Sequence, residues 1–167
     1  MNFIIRVLLC CLLPASVFAA EVITDKNWIK HPEIKKIRLL YNKINAAEQA
    51  NKLKKDTRKC VLHGGSVKID GELYRDAKGA VRKYVVDGGS GDSRARAEYY
   101  YDNGIARFTY RFRGAYNGTI VKDRIYFNNK GQHLYTNRKV EGPGYSDSGL
   151  SDSVVNPAND YENLCKE

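Results

Sequence analysis

Arg94-Ala-Arg-Ala-Glu-Tyr-Tyr-Tyr-Asp-Asn-Gly-Ile-Ala-Arg-Phe-Thr-Tyr-Arg-Phe-Arg113 is the stretch that decides the fold. Two alternating runs flank Asn103-Gly104, a dipeptide suited to a two-residue type I′ turn because both central residues must take positive φ. Counting outward from that turn pairs Asp102 with Ile105 and sets the register of a hairpin. Tyr99 then opposes Phe108, Ala97 opposes Tyr110 and Ala95 opposes Phe112, a face of small and large apolar residues expected to be core. The other face pairs Tyr100 with Arg107, Glu98 with Thr109, Arg96 with Arg111 and Arg94 with Arg113. Two like-charge oppositions are unfavourable in a sheet and call for a reason.

The same period of two extends on both sides. Turn signals at Asp76–Gly79, Asp87–Asp92, Asp102–Gly104, Gly114–Gly118 and Asn128–Gly131 supply the Gly and Asx residues that left-handed turn positions require. Six strands are expected, near residues 66–75, 80–87, 94–102, 105–113, 119–128 and 132–140. In the fifth, alternation buries Val121, Ile125 and Phe127 and exposes Lys122, Arg124 and Tyr126.

A repeat runs through this meander. Tyr74-Arg-Asp-Ala-Lys-Gly79, Tyr100-Tyr-Asp-Asn-Gly104 and Tyr126-Phe-Asn-Asn-Lys-Gly131 share tyrosine, a large residue, Asp or Asn, then Gly, and the leading tyrosines recur at one fixed period. Over residues 72–139 these units resemble the tyrosine–aspartate hairpin repeats of bacterial surface proteins. The layout also resembles uncharacterised exported proteins of Gram-negative bacteria. The resemblance implies hairpins and carries no activity or site residue with it.

Upstream, Ile34, Ile37, Tyr41 and Ile44, widened by Leu40 and Ala47, recur at helical spacing, with Pro32 and Glu33 suited to a helix start. The pattern predicts one amphipathic helix over 32–54 that covers the sheet. Residues 141–167, rich in Gly, Ser, Asp and Asn, read as an extended tail. The fold class expected is thus α+β: one N-terminal helix on a curved antiparallel meander of about six strands. Ile37, Tyr41 and Ile44 should pack on Tyr99, Phe108, Tyr110, Phe112, Ile125 and Phe127.

The first nineteen residues, with Arg6, an apolar run and Val17 and Ala19 near the exit, read as a signal peptide cleaved after Ala19 or Ala20. Residues 20–167 then form a single domain, periplasmic or secreted, with no stable membrane anchor. The leader carries one base and no acid, so its removal lowers the net charge from +9 to +8. Only Cys60 and Cys165 remain, and in an oxidising compartment they are expected to pair.

Chemistry is harder to find. His31, His63 and His133 stand apart from one another, Ser90 and Ser146 lack a nucleophile elbow, and the glycine-rich loop at 88–91 precedes a strand instead of a helix. The acidic turns Asp87–Asp92 and Asp147–Asp152 lack the pattern of a calcium loop and read as solvated carboxylates. No catalytic residue, metal ligand or cofactor is expected. What stands out is a basic face of Arg94, Arg96, Arg107, Arg111, Arg113, Lys122 and Arg124 interleaved with Tyr100 and Tyr126, with Glu98 its single acid. Guanidinium forks grip carboxylate or phosphate, and tyrosines offer stacking surfaces. The leading expectation is an exported, non-enzymatic module binding an anionic envelope polymer or an acidic protein; export makes nucleic acid a poor partner. An inhibitor or immunity-type protein that caps a toxin or hydrolase, and an enzyme acting on cell-wall polymer, are the alternatives. A solvated face that resists aggregation, or one partly covered by the acidic tail, explains the same charges without binding.

Overall fold

The computed structural model describes residues 22–144 and 156–166. The proposed signal peptide and the acidic turn at 147–152 lie outside them. Helix α1, Pro32–Gln49, is followed by seven strands: β1 Lys54–Leu62, β2 Val67–Arg75, β3 Val81–Gly89, β4 Ser93–Asp102, β5 Ile105–Ala115, β6 Ile120–Phe127 and β7 His133–Glu141. They form one antiparallel sheet in sequence order. A short helix, α2 (Pro157–Asn163), lies near the C-terminal end. Among the described residues no helix is long and apolar enough to cross a membrane.

The meander is confirmed, with a strand more than expected. Helix α1 stops at Gln49 because Asn51 enters the left-handed region (φ 52°) while the Lys52 amide closes back on the Ala47 carbonyl. Of the residues beyond, read as the helix end, 50–53 form the connecting turn and Lys54 opens edge strand β1. Its alternation is masked by charge: Lys54, Lys55, Arg58 and Lys59 protect an exposed edge and hide the period from a hydrophobicity reading. The tail is likewise not all extended. Asn156 caps α2 by accepting from the Asn159 amide at 3.3 Å, and Pro157 occupies the first turn. Cys60 of β1 and Cys165, just past α2, are joined by a disulfide. Alkylation of the native, unreduced protein is therefore expected to label neither cysteine; a labelled Cys165, which is exposed, would contradict the bond.

The hairpin 93–115 departs from the expected register by one residue. Asp102 does oppose Ile105, but a bulge at Arg107 shifts everything beyond: Tyr100 opposes Phe108, Glu98 opposes Tyr110, Arg96 opposes Phe112 and Ala97 opposes Arg111. The two arginine–arginine oppositions do not form. The same irregularity follows each leading tyrosine of the repeat, between Tyr74 and Arg75, Tyr100 and Tyr101, and Tyr126 and Phe127. Its effect is a row of aligned residues across the whole sheet: Lys55, Tyr74, Lys83, Tyr100, Phe108, Tyr126, Tyr135.

That row is the floor on which α1 sits. Ile34, Ile37 and Ile44 pack with Tyr100, Phe108, Tyr126 and Tyr135, and Trp28 stacks on Tyr135 with ring centroids 5.6 Å apart. Tyr100 and Tyr126, expected on an exposed binding face, are 0% and 2% exposed. The opposite face is covered by α2, where Tyr161 packs on Leu73, Tyr84, Tyr101 and Ala106. Three consecutive tyrosines, 99 to 101, serve both faces, which a reading with one wet face could not accommodate. Phe112, expected in the core, is half-buried on the α1 side, and Tyr99 and Ile125 lie on the α2 side.

Candidate functional site

The bulge at Arg107 divides the expected basic face between two sides of the sheet. Arg111 and Arg113 stand on the α2 side, around Asp123. That carboxylate is 1% exposed, faces Arg111 across the β5–β6 ladder, and accepts from Arg138 at 2.7 and 3.2 Å, with Arg113 3.4 Å away. These arginines hold a buried acid in place. Arg107 itself bends toward α1, donating to the Phe127 carbonyl at 3.2 Å and lying 3.8 Å from Glu33.

Arg94, Arg96, Lys122 and Arg124 keep one face, on the α1 side. They differ in how far they are already neutralised. Arg94 and Arg96 both grip Asp87, at 2.8 and 3.0 Å, and Arg96 also donates to Glu98 at 2.9 Å. Asp87 is held below the usual carboxylate range, chiefly by its hydrogen bond from Arg94. Lys122 lies 3.3 Å from Glu141. Arg124 is different: its guanidinium stands over the Tyr110 ring, 5.6 Å from the centroid, and among the described residues it meets no carboxylate at ion-pair distance.

Arg124 lines a cleft of about 310 Å³ between α1 and the sheet. The helix contributes Arg38, Tyr41 and Asn42; the sheet contributes Glu98, Phe108, Tyr110, Arg124 and Tyr126. Helical spacing places residues 38, 41 and 42 on one flank of α1, while Glu98, Tyr110 and Arg124 are directly aligned on β4, β5 and β6. Arg38, like Arg124, has no carboxylate at ion-pair distance among the described residues. Burial raises the pKa of the Tyr126 hydroxyl, and the charges of Arg38 and Arg124 both pull it back. Both arginines line the same cleft, and the charge of each is felt at the Tyr126 hydroxyl.

Behind the cleft lies a buried polar network that sequence reasoning missed. Lys83, 5% exposed, sits between the Tyr74 and Tyr100 rings and donates to Glu48 at 2.7 Å and Asn45 at 3.2 Å, with Glu98 3.5 Å away. The Tyr100 hydroxyl donates to Glu98 at 2.6 Å, and the Tyr74 hydroxyl to Glu72 at 2.7 Å, itself paired with Lys55. Burial pushes the Glu98 pKa up, but the bonds from Tyr100 and Arg96 and the charge of Lys83 outweigh it and leave the group below the usual carboxylate range. Glu98 is thus an ionised acceptor with a fixed orientation. Asn42 and Arg38 were passed over because α1 reads as a structural helix; their sequence signal was an arginine and an amide beside the apolar stripe.

Among the described residues no group of His, Cys, Asp or Glu side chains is arranged to hold a metal ion. Comparison with family models, with curated proteins and with solved structures finds no match to this chain.

Proposed function

We propose that this chain is an exported binding module whose α1-side cleft engages an anionic group of an envelope polymer or acidic protein. The observation that carries the reading is that Arg38 and Arg124, neither paired with a carboxylate among the described residues, line one cleft between α1 and the sheet. Two arginines in the lining of one cleft leave an excess of positive charge there, which a bound anion offsets. The cleft volume is at the small end of the range for ligand sites. Glu98 supports binding over hydrolysis: it is the one carboxylate among the lining residues, and its depressed pKa makes it a poor proton donor at neutral pH.

The test is titration of the protein with a polyuronate, a polyphosphate and polyglutamate, followed by the fluorescence of Trp28, the one tryptophan, whose ring lies 5.9 Å from Tyr126. At least one polymer should bind, and Arg124→Gln should weaken that binding by about 1.5–3 kcal/mol, the scale of a charge-assisted hydrogen bond. Added salt should weaken it further. Lys54→Ala, on the exposed edge strand, should change it little. Equal losses from both substitutions would mean general attraction to a basic protein and would remove the cleft from the argument.

A further inference from the structure

We infer that the cleft is built for a carboxylated sugar, a single uronate ring of an acidic polysaccharide, in preference to a phosphate. This deepens the anion-binding reading above and rests on it. Three features of the lining lead to the choice.

The first is charge. Arg38 and Arg124 bring two positive charges to the cleft, and the one carboxylate in the lining, Glu98, is already paired with Arg96 at 2.9 Å, so the charge left to be matched is positive. Among anions, one that also carries hydroxyl donors suits a cleft with an acceptor in its wall, whereas a phosphate dianion brings only acceptors toward Glu98.

The second is the balance of donors and acceptors. Glu98 receives one hydrogen bond on each oxygen, from Arg96 on Oε1 and from Tyr100 on Oε2. Oε2 also lies 3.5 Å from the Lys83 ammonium, so Oε1 is the oxygen with a lone pair to spare for a ligand donor. The Asn42 amide can donate and accept. Sugar hydroxyls satisfy both groups, whereas a bare phosphate brings acceptors to a carboxylate that is already an acceptor.

The third is shape. Tyr41 and Tyr110, both partly exposed, flank the cleft and offer aromatic surface to the apolar C–H face of a pyranose, while the buried Phe108 and Tyr126 close its floor. A volume of about 310 Å³ equals roughly ten water molecules at ~30 Å³ each, the scale of one sugar ring and too little for a folded peptide segment. From the cleft the same sheet face continues to the row Arg96, Phe112, Lys122, where half-buried Phe112 offers the next platform two residues along β5. Consecutive platforms on one strand are about 6.8 Å apart, so a chain of sugars can leave the cleft along β5.

The experiment compares four probes on the same protein: a uronate trisaccharide, its carboxyl-reduced neutral counterpart, a hexose phosphate and inorganic phosphate. Binding is read by Trp28 fluorescence and by the shifts of tyrosine ring resonances. The uronate is expected to bind at least roughly tenfold more tightly than the neutral sugar or either phosphate, and Arg38→Gln and Arg124→Gln should each weaken it by at least about tenfold, the loss of one charge-assisted contact. Asn42→Ala, on an exposed helix position that carries little of the core, should weaken the uronate and leave inorganic phosphate unchanged. If the phosphates bind as well as the uronate and both arginine variants weaken them, the sugar assignment falls while the anion site stands. If the neutral sugar binds as tightly as the uronate, the carboxylate assignment falls. If no probe responds to either arginine, the sugar assignment and the anion-binding reading fall together.

Discussion

Tyr100→Ala is expected to destabilise the protein by about 3–5 kcal/mol, the range for truncating a large buried aromatic. Tyr100 is 0% exposed, packs edge-on against Tyr41 at 4.9 Å and beside Phe108 at 5.7 Å, and sits in the middle of the row beneath α1. Its hydroxyl also orients Glu98. Tyr100→Phe keeps the ring and should cost less, on the order of 1–3 kcal/mol, because it leaves a lone pair of a partly buried carboxylate without its donor. Phe112→Ala should cost less than Tyr100→Ala, since that ring is only partly buried. Denaturant midpoints of the three variants decide between two registers. A Phe112→Ala loss exceeding that of Tyr100→Ala would restore the unbulged hairpin and turn over every side chain of the pair.

That pair of residues also shows where the sequence was legible. Period-two alternation and Asx–Gly turns are local signals, so six of the seven strands and the Asp102–Ile105 pairing could be read directly. The bulge could not. It inserts one residue three positions from a type I′ turn with no glycine or proline to mark it, and its cause is tertiary: only with Arg107 set aside do Tyr74, Tyr100 and Tyr126 line up under one helix. The repeat of the tyrosines was visible, but its meaning, a floor for α1, needed the helix above it. The error propagated to the site. Arg111 and Arg113 moved to the far side with Asp123, Tyr100 and Tyr126 moved under α1, and four of the seven cations kept one face. Arg38 and Asn42 entered from a helix whose polar flank has no periodic signature of function.

Above pH 10 the fold is expected to unfold in one steep step. Tyr74, Tyr84, Tyr100 and Tyr101 are each 5% exposed or less, and burial pushes the pKa of all four well above the usual tyrosine value. Nearby acids push the same way: Glu72 and Glu48 at Tyr74, Asp160 at Tyr84 and Tyr101, and Glu98 at Tyr100. Among the described residues the Tyr84 hydroxyl has no hydrogen-bond partner, and the charge of Arg58, which favours a phenolate there, is outweighed by burial. A group whose folded pKa lies above its unfolded value keeps a proton in the fold that the unfolded chain releases. Its stabilisation is complete below the unfolded value, near pH 10, and is lost as pH rises beyond it. Each such tyrosine then costs about 1.4 kcal/mol per pH unit, so four together cost roughly 5 kcal/mol per unit. Against a total stability of about 5–15 kcal/mol, the sheet should be lost one to three units above the ordinary tyrosine pKa. Tyrosinate absorbance and far-ultraviolet circular dichroism should change together, because these four hydroxyls ionise only when the chain opens. A tyrosinate signal that reached its full amplitude while the sheet remained intact would mean that the tyrosines are wet in the native state, and that neither α1 nor α2 covers its face of the sheet.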